Sequence, residues 1–261
     1  MLTLNEIKKY YPPNLHGFER FILREYLQHK ILHIIFTSKY AGNFAFLGGT
    51  CLRIIHGNSR FSEDLDFDNF NVDEKTFFDL ADFIKTSLED EGYAIELKTA
   101  SRGAFHCYIR FPQILYSEGL SNHSQEKILI QLDTEPQRFQ FQPQTFLLNK
   151  FDVFCEIPCT PKDLLLAQKF YAILNRKRIQ GRDFFDVMFL LSINTKPNFQ
   201  YLEQKININN AKTLQEKILE RCAGISFQEI SKDVAPFLFN PNDNNKISKF
   251  IEYFKTVDLT F

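Results

Sequence analysis

Phe44-Ala-Phe-Leu-Gly48-Gly49-Thr50-Cys-Leu-Arg53, followed by Arg60-Phe-Ser62-Glu-Asp64-Leu-Asp66-Phe67, is the stretch that decides the fold of this chain. An apolar strand, 44–47, runs into a Gly-Gly turn. A short helix, 50–56, follows and ends near Gly57-Asn58. A second strand, 64–70, carries Asp64 and Asp66 together, because residues i and i+2 of a strand share a face, and turns Leu65 and Phe67 to the buried side. Two adjacent carboxylates repel and raise each other's pKa unless a cation lies between them. Magnesium suits that place, since it takes hard oxygen ligands from one or two carboxylates plus phosphates, and manganese is the substitute ion. Gly48 and Gly49 remove side chains where backbone must approach a phosphate closely. Thr50 adds a hydroxyl at the start of a helix whose N–H groups and dipole favour anions.

Alone, a Gly-Gly after an apolar run is a turn, and an Asp-x-Asp is an exposed strand end. The order of the parts, with Arg60 and Ser62 just before the carboxylates, is what carries weight. Gly48-Gly49-Thr50-x-Leu52-Arg53 and Arg60-x-Ser62-x-Asp64-Leu65-Asp66-Phe67 resemble the motifs of the nucleotidyltransferase toxins of abortive-infection systems, the AbiEii/AbiGii type. That family lies within the DNA polymerase β-like nucleotidyltransferase superfamily. A second cluster resembles the family's helical lysine motif and its later Arg-Asp-x-x-Asp motif: Lys169 within 164–172, then Arg176-Lys177-Arg178 and Arg182-Asp183-Phe-Phe-Asp186. Thr160 as N-cap, Pro161 at the first position and Asp163 in the first turn predict a helix there. Lys162, Leu165, Lys169, Ala172 and Arg176 share one stripe of it, so Lys169 and Arg176 face the same way. Taken alone, Lys169 reads equally as a solvated helix residue, Arg182 and Asp186 as an i,i+4 surface pair, and the 176–178 run as a solvated face.

The resemblance implies an α/β fold: a polymerase β-like core with a mixed sheet, then a mostly helical C-terminal domain, with the active site between them. It implies transfer of a nucleotide from a nucleoside triphosphate to an acceptor hydroxyl, with release of pyrophosphate. Asp64 and Asp66 would hold the metal. Gly48, Gly49, Thr50, Arg53, Ser62 and Lys169 would bind the nucleotide. Asp64, Asp66, Lys169 and Asp183 would carry catalysis. In such folds a third carboxylate often comes from a neighbouring strand, and Asp133 is the candidate by position; taken alone it reads first as a strand-end Asp opening the Asp-Thr-Glu-Pro turn. The family further implies a toxin paired with a separate antitoxin protein, with RNA, and tRNA in particular, as the acceptor by analogy. Two rivals stay open: a transferase acting on a small molecule such as an antibiotic, and a catalytically silent nucleotide-binding module.

Composition is that of a globular chain: 261 residues, 44% hydrophobic and 24% charged, with net charge −1, so any RNA contact must use a local basic patch. The 29 phenylalanines read as core packing. The five cysteines are odd in number and form no Cys-x-x-Cys, which suits free thiols in a reducing cytoplasm better than zinc or disulfides. No apolar run reaches membrane-span length and no signal-peptide pattern opens the chain. Helices are predicted over 15–36, 73–91, 161–179, 182–193 and 211–222, and further strands over 93–99, 105–111, 127–133 and 151–157. Pro158 and Pro161 mark a boundary between domains 1–158 and 159–261.

Overall fold

A computed structural model describes residues 1–101, 103–136 and 138–260. The chain divides into two compact units, residues 1–55 with 61–159, and residues 56–60 with 160–261.

The first unit contains α1 (Leu4–Lys8), α2 (Glu19–Phe36), β1 (Phe44–Leu47), α3 (Gly48–Ile54), β2 (Leu65–Asn69), α4 (Glu74–Asp90), β3 (Glu96–Ser101), β4 (Phe105–Pro112), α5 (Ile114–Ser117), β5 (Lys127–Glu135), β6 (Gln144–Lys150) and β7 (Val153–Cys159). The strands form one mixed sheet in the order β3-β4-β5-β2-β1-β7-β6. β2 runs parallel to β5 and β1 parallel to β7; the other neighbours are antiparallel. This is the α/β mixed sheet that the motifs imply.

Period-2 alternation gives the sheet one apolar face. Leu65, Phe67, Cys107, Ile109, Phe111, Ile130 and Leu132 are buried, and α2 and α4 pack against the sheet. Asp73 caps α4 by accepting the Thr76 N–H, and Phe77, Leu80, Ala81, Ile84 and Leu88 form its buried stripe. On the opposite face, Asp66, His106, Tyr108, Gln131 and Asp133 are half-buried.

Three differences from the sequence reading have local causes. Helix α3 starts at Gly48, two residues early, because Gly48 takes φ +80° and turns the chain directly into the helix. β3 starts at Glu96 because the Tyr93 N–H is spent on the Leu88 carbonyl at 3.1 Å, closing the end of α4. β6 carries no apolar alternation, since only Leu148 in it is buried, and so the sequence does not announce it.

The second unit contains α6 (Lys162–Asn175), α7 (Gly181–Ser192), α8 (Phe199–Ile206), α9 (Ala211–Cys222), α10 (Phe227–Ser231), α11 (Asn244–Ser248) and α12 (Phe250–Phe254). Asn198, Asn210 and Ser226 cap α8, α9 and α10 through their side chains. Its core includes Leu166, Phe170, Phe184, Phe185, Leu190, Tyr201, Leu214, Ile218, Phe250 and Phe254. Gly181 lets α7 touch α10: a Cβ there would lie 2.1 Å from the Ile230 carbonyl oxygen. Thr160 is not the cap of α6. Pro161 occupies that position in extended backbone, and the Thr160 hydroxyl is buried without a hydrogen-bond partner.

Residues 56–60, which the sequence reading leaves inside the first domain, belong to this unit. Arg60 bridges to Leu238, and the Phe239 N–H donates to the Ser59 carbonyl at 3.2 Å. The remaining boundary falls at Cys159/Thr160.

Candidate active site

In the first unit, the carboxylate of Asp66 sits directly over the Gly48 turn. A Cβ on Gly48 would lie 2.2 Å from Asp66 Oδ2, so only glycine leaves room for it. Leu47 and Asp66 are register partners across β1 and β2, which fixes the acid at the entrance of α3. Asp64 precedes β2 by one residue, and Asp64 and Asp66, both half-buried, alternate with the buried Leu65 and Phe67.

The backbone leading into Asp64 is clamped on two sides. The buried Thr50 hydroxyl donates to the Asp64 carbonyl. Gln28, on α2 and only 1% exposed, donates its amide to the carbonyls of Ser62 at 3.1 Å and Glu63 at 2.8 Å. Arg24 adds an ion pair to Glu63 at 2.7 Å. Thr50 therefore spends its donor on the protein and holds Asp64 in place.

Asp133 stands in parallel register with Asp66, and His106 in antiparallel register with Asp133, so one row of the sheet reads His106, Asp133, Asp66, Leu47. The Asp133 carboxylate is engaged by His106 Nδ1 at 2.7 Å and accepts from Gln131 Nε2 at 2.9 Å to each oxygen. Among the described residues, no three His, Cys, Asp or Glu side chains form a group that could hold a metal by themselves. A pair of carboxylates completed by substrate phosphates is, however, what magnesium accepts, and the seat that Gly48 leaves for Asp66 fits that donor set.

Arg53 is tied into a buried network. Its Nε donates to Glu25 Oε2 at 2.8 Å, and Glu25 also accepts from Lys150 at 2.9 Å and Tyr11 at 2.8 Å. Burial would raise the Glu25 pKa, but Arg53 and Lys150 overcome it and hold the carboxyl at about 2. This network fastens α3 to α2 and β6.

The second unit holds a separate cluster. Asp186, fully buried, receives Arg60 in a two-pronged pair at 2.8 and 2.7 Å, Asn58 at 2.9 Å and Lys169 at 2.8 Å. Lys169 reaches Asp183 at 3.2 Å, and Arg176 reaches the same carboxylate at 3.4 Å. The stripe on α6 thus aims Lys169 and Arg176 at one residue, Asp183. Burial would raise the Asp186 pKa, yet Arg60 and Lys169 hold it at about 2. For Lys169, burial works against the charge, and Asp186 and Asp183 more than restore it, so its pKa is raised.

Sequence reasoning missed several of these groups. Asp68 continues the Asp64, Asp66 series, and its in-register neighbour is Glu135, so its signal was the same alternation one step further. Glu25, Gln28 and His29 are polar residues buried on α2 beside Ile22, Tyr26 and Ile31, and a polar group in such company needs a built-in partner. His106 carries no sequence signal beyond its strand position.

Two solved structures share this fold. JHP933 from Helicobacter pylori shares 14% identity, with 90% of this chain and 92% of that one covered and a TM-score of 0.52. Another H. pylori structure, described as a "putative nucleotidyltransferase", shares 15% identity over 90% and 95% of the two chains, with a TM-score of 0.53. At these identities they show the nucleotidyltransferase fold. No curated protein matches the sequence. Residues 30–253 match the family described as Nucleotidyl transferase AbiEii toxin, Type IV TA system. The chain belongs to that family of nucleotidyltransferases.

Proposed function

We propose that this chain transfers a nucleoside monophosphate from an NTP to a hydroxyl of an RNA acceptor, tRNA in particular, as the toxin of a pair whose antitoxin is a separate protein. The observation that carries the proposal is the Asp66 carboxylate seated over Gly48 at the start of α3, with Asp64 clamped just before it.

Asp64 and Asp66 would hold a magnesium or manganese ion, which when bound neutralises phosphate charge and acidifies the acceptor hydroxyl. The backbone at Gly48–Gly49, with Ser62, would bind phosphate oxygens. Asp64 would take the acceptor proton, directly or through the metal. The acceptor oxygen then bonds to the α-phosphorus as the bond to the bridging oxygen of the β-phosphate breaks, and pyrophosphate leaves. Thr50 and Gln28 act through Asp64 by fixing its backbone. The exposed Lys177 and Arg178 support RNA as acceptor, and a tRNA acceptor sets the reaction in the cytoplasm. The family description supports the antitoxin.

The test is incubation with each labelled NTP, Mg²⁺ and total RNA. Label is expected in an RNA of tRNA size and is expected to vanish with a chelator. Asp64→Asn and Asp66→Asn should each abolish transfer with the melting temperature preserved. Turnover near wild type in either variant removes the metal site; label on small molecules alone removes the RNA acceptor.

A further inference from the structure

β2 and β5 run parallel, and the chain leaving their C-terminal ends encloses a pocket of about 680 Å³. The ends of parallel strands are where α/β sheets place ligands. One wall is Asp68, which shares the Asp66 face and lies about 7 Å further along the strand. A nucleotide with its phosphates at Asp66 and its sugar running along β2 would bring its base to this pocket, one ribose away. That placement rests on the reading above.

The walls have the chemistry of base recognition. Phe70 and Phe141 pack with ring centroids 5.7 Å apart and offer an aromatic surface. Asn71 and Gln140 line the opening with amides that both donate and accept. Asn69 is 4% exposed, and its Oδ1 has no hydrogen-bond partner, an acceptor that a ligand N–H, or a water carried beneath it, would satisfy. Among the described lining residues the charged ones are one acid, Asp68, and one base, Arg138. A triphosphate calls for several cations, and a polycationic antibiotic for several carboxylates. An aromatic wall with neutral amides suits a neutral, flat heterocycle.

We propose that this pocket receives a nucleobase, stacked on Phe141 and read at its edge by Asn71 and Gln140. The base comes either from the NTP or from the terminal nucleotide of the acceptor strand. Affinities of the full chain for the four NTPs, for inorganic tripolyphosphate and for a short single-stranded RNA, all with Mg²⁺, separate these sources. Phe141→Ala should weaken base binding about tenfold, the scale of one lost stacking contact. Gln140→Ala, at an exposed position, gives a second variant that should fold whatever Phe141 contributes to packing. Weaker NTP binding with unchanged tripolyphosphate binding assigns the base to the NTP. Weaker RNA binding with unchanged NTP binding assigns it to the acceptor. Affinities all within twofold of wild type, or an equal loss for tripolyphosphate, overturn the pocket while leaving the transferase reading intact. A wild-type chain that binds neither NTP nor RNA overturns both.

Discussion

Gly48 shows how much of the site one missing side chain decides. Its φ of +80° costs a non-glycine residue about 1–2 kcal/mol, and a Cβ would also strike Asp66. Gly57 has a similar φ, +77°, with nothing within 4 Å of its would-be Cβ. Gly57→Ala should thus lose only the stability its φ costs, Gly48→Ala more because its Cβ also meets Asp66, both read from melting temperature, and only Gly48→Ala should lose nucleotide transfer. Equal activity in the two variants would show that the Asp66 seat is not needed. At this scale the sequence was readable where a short period carried the signal: alternation sets Asp64 and Asp66 on one side and the buried Leu65 and Phe67 on the other. It was less readable where one group has two possible uses. The Thr50 hydroxyl read as a phosphate donor, and the structure gives that proton to the Asp64 carbonyl.

Helices α6 and α7 are joined by charges, not only by apolar packing. Asp186 has no exposure and faces both Arg60 and Lys169. Removing one partner of a buried pair costs about 3–5 kcal/mol, because the other charge stays buried. Asp186→Asn should therefore destabilise the second unit by that order in urea unfolding. Asp183→Asn should cost less, since one of its cations, Arg176, is 43% exposed and readily solvated. Equal losses would show that Asp183 matters as much as Asp186 to the fold. Lys169→Ala, which on a solvated helix would change stability by no more than about 0.5 kcal/mol, should here cost several times that, because Lys169 is largely buried. Spacing within α7 points to Arg182 as the neighbour of Asp186, but burial makes Asp186 a core group and sets the Arg182 guanidinium over Phe237, 5.4 Å from the ring. No helical period could reveal Arg60, which arrives from 126 positions away.

Over the whole molecule, buried ionisable groups set the response to acid. Burial lowers the His29 and His56 pKa values to about 4. The unfolded chain takes up those protons near pH 6.5, where the folded chain refuses them, so stability should fall as pH drops from 6.5 toward 4. For His29 alone the loss is of order 3 kcal/mol. Glu25 and Asp186, both held at about 2, contribute stability that is present above their unfolded pKa values and is lost as pH falls through the folded ones, between about 4.5 and 2. Melting temperature against pH should show both declines; a flat profile down to pH 4 would contradict the buried neutral histidines. The mixed sheet was foreseeable at this scale from the family resemblance that the motifs carry, and the helical second part from periodicity. The exchange of residues 56–60 was not, because it depends on pairings with residues far along the chain.

That exchange also sets an order of assembly. Asn58 and Arg60 leave the ribosome long before Asp186, so during synthesis these five residues must wait, solvated, while the rest of their unit is made. A fragment of residues 160–261 would lack them and would bury Asp186 without its guanidinium. Such a fragment should show weak, uncooperative melting by circular dichroism, and a peptide covering residues 54–62 added in trans should sharpen it. The second unit is thus sewn shut by a thread cut from well before it in the chain, and it reaches its final form only after Asp186 and the helices around it have been made.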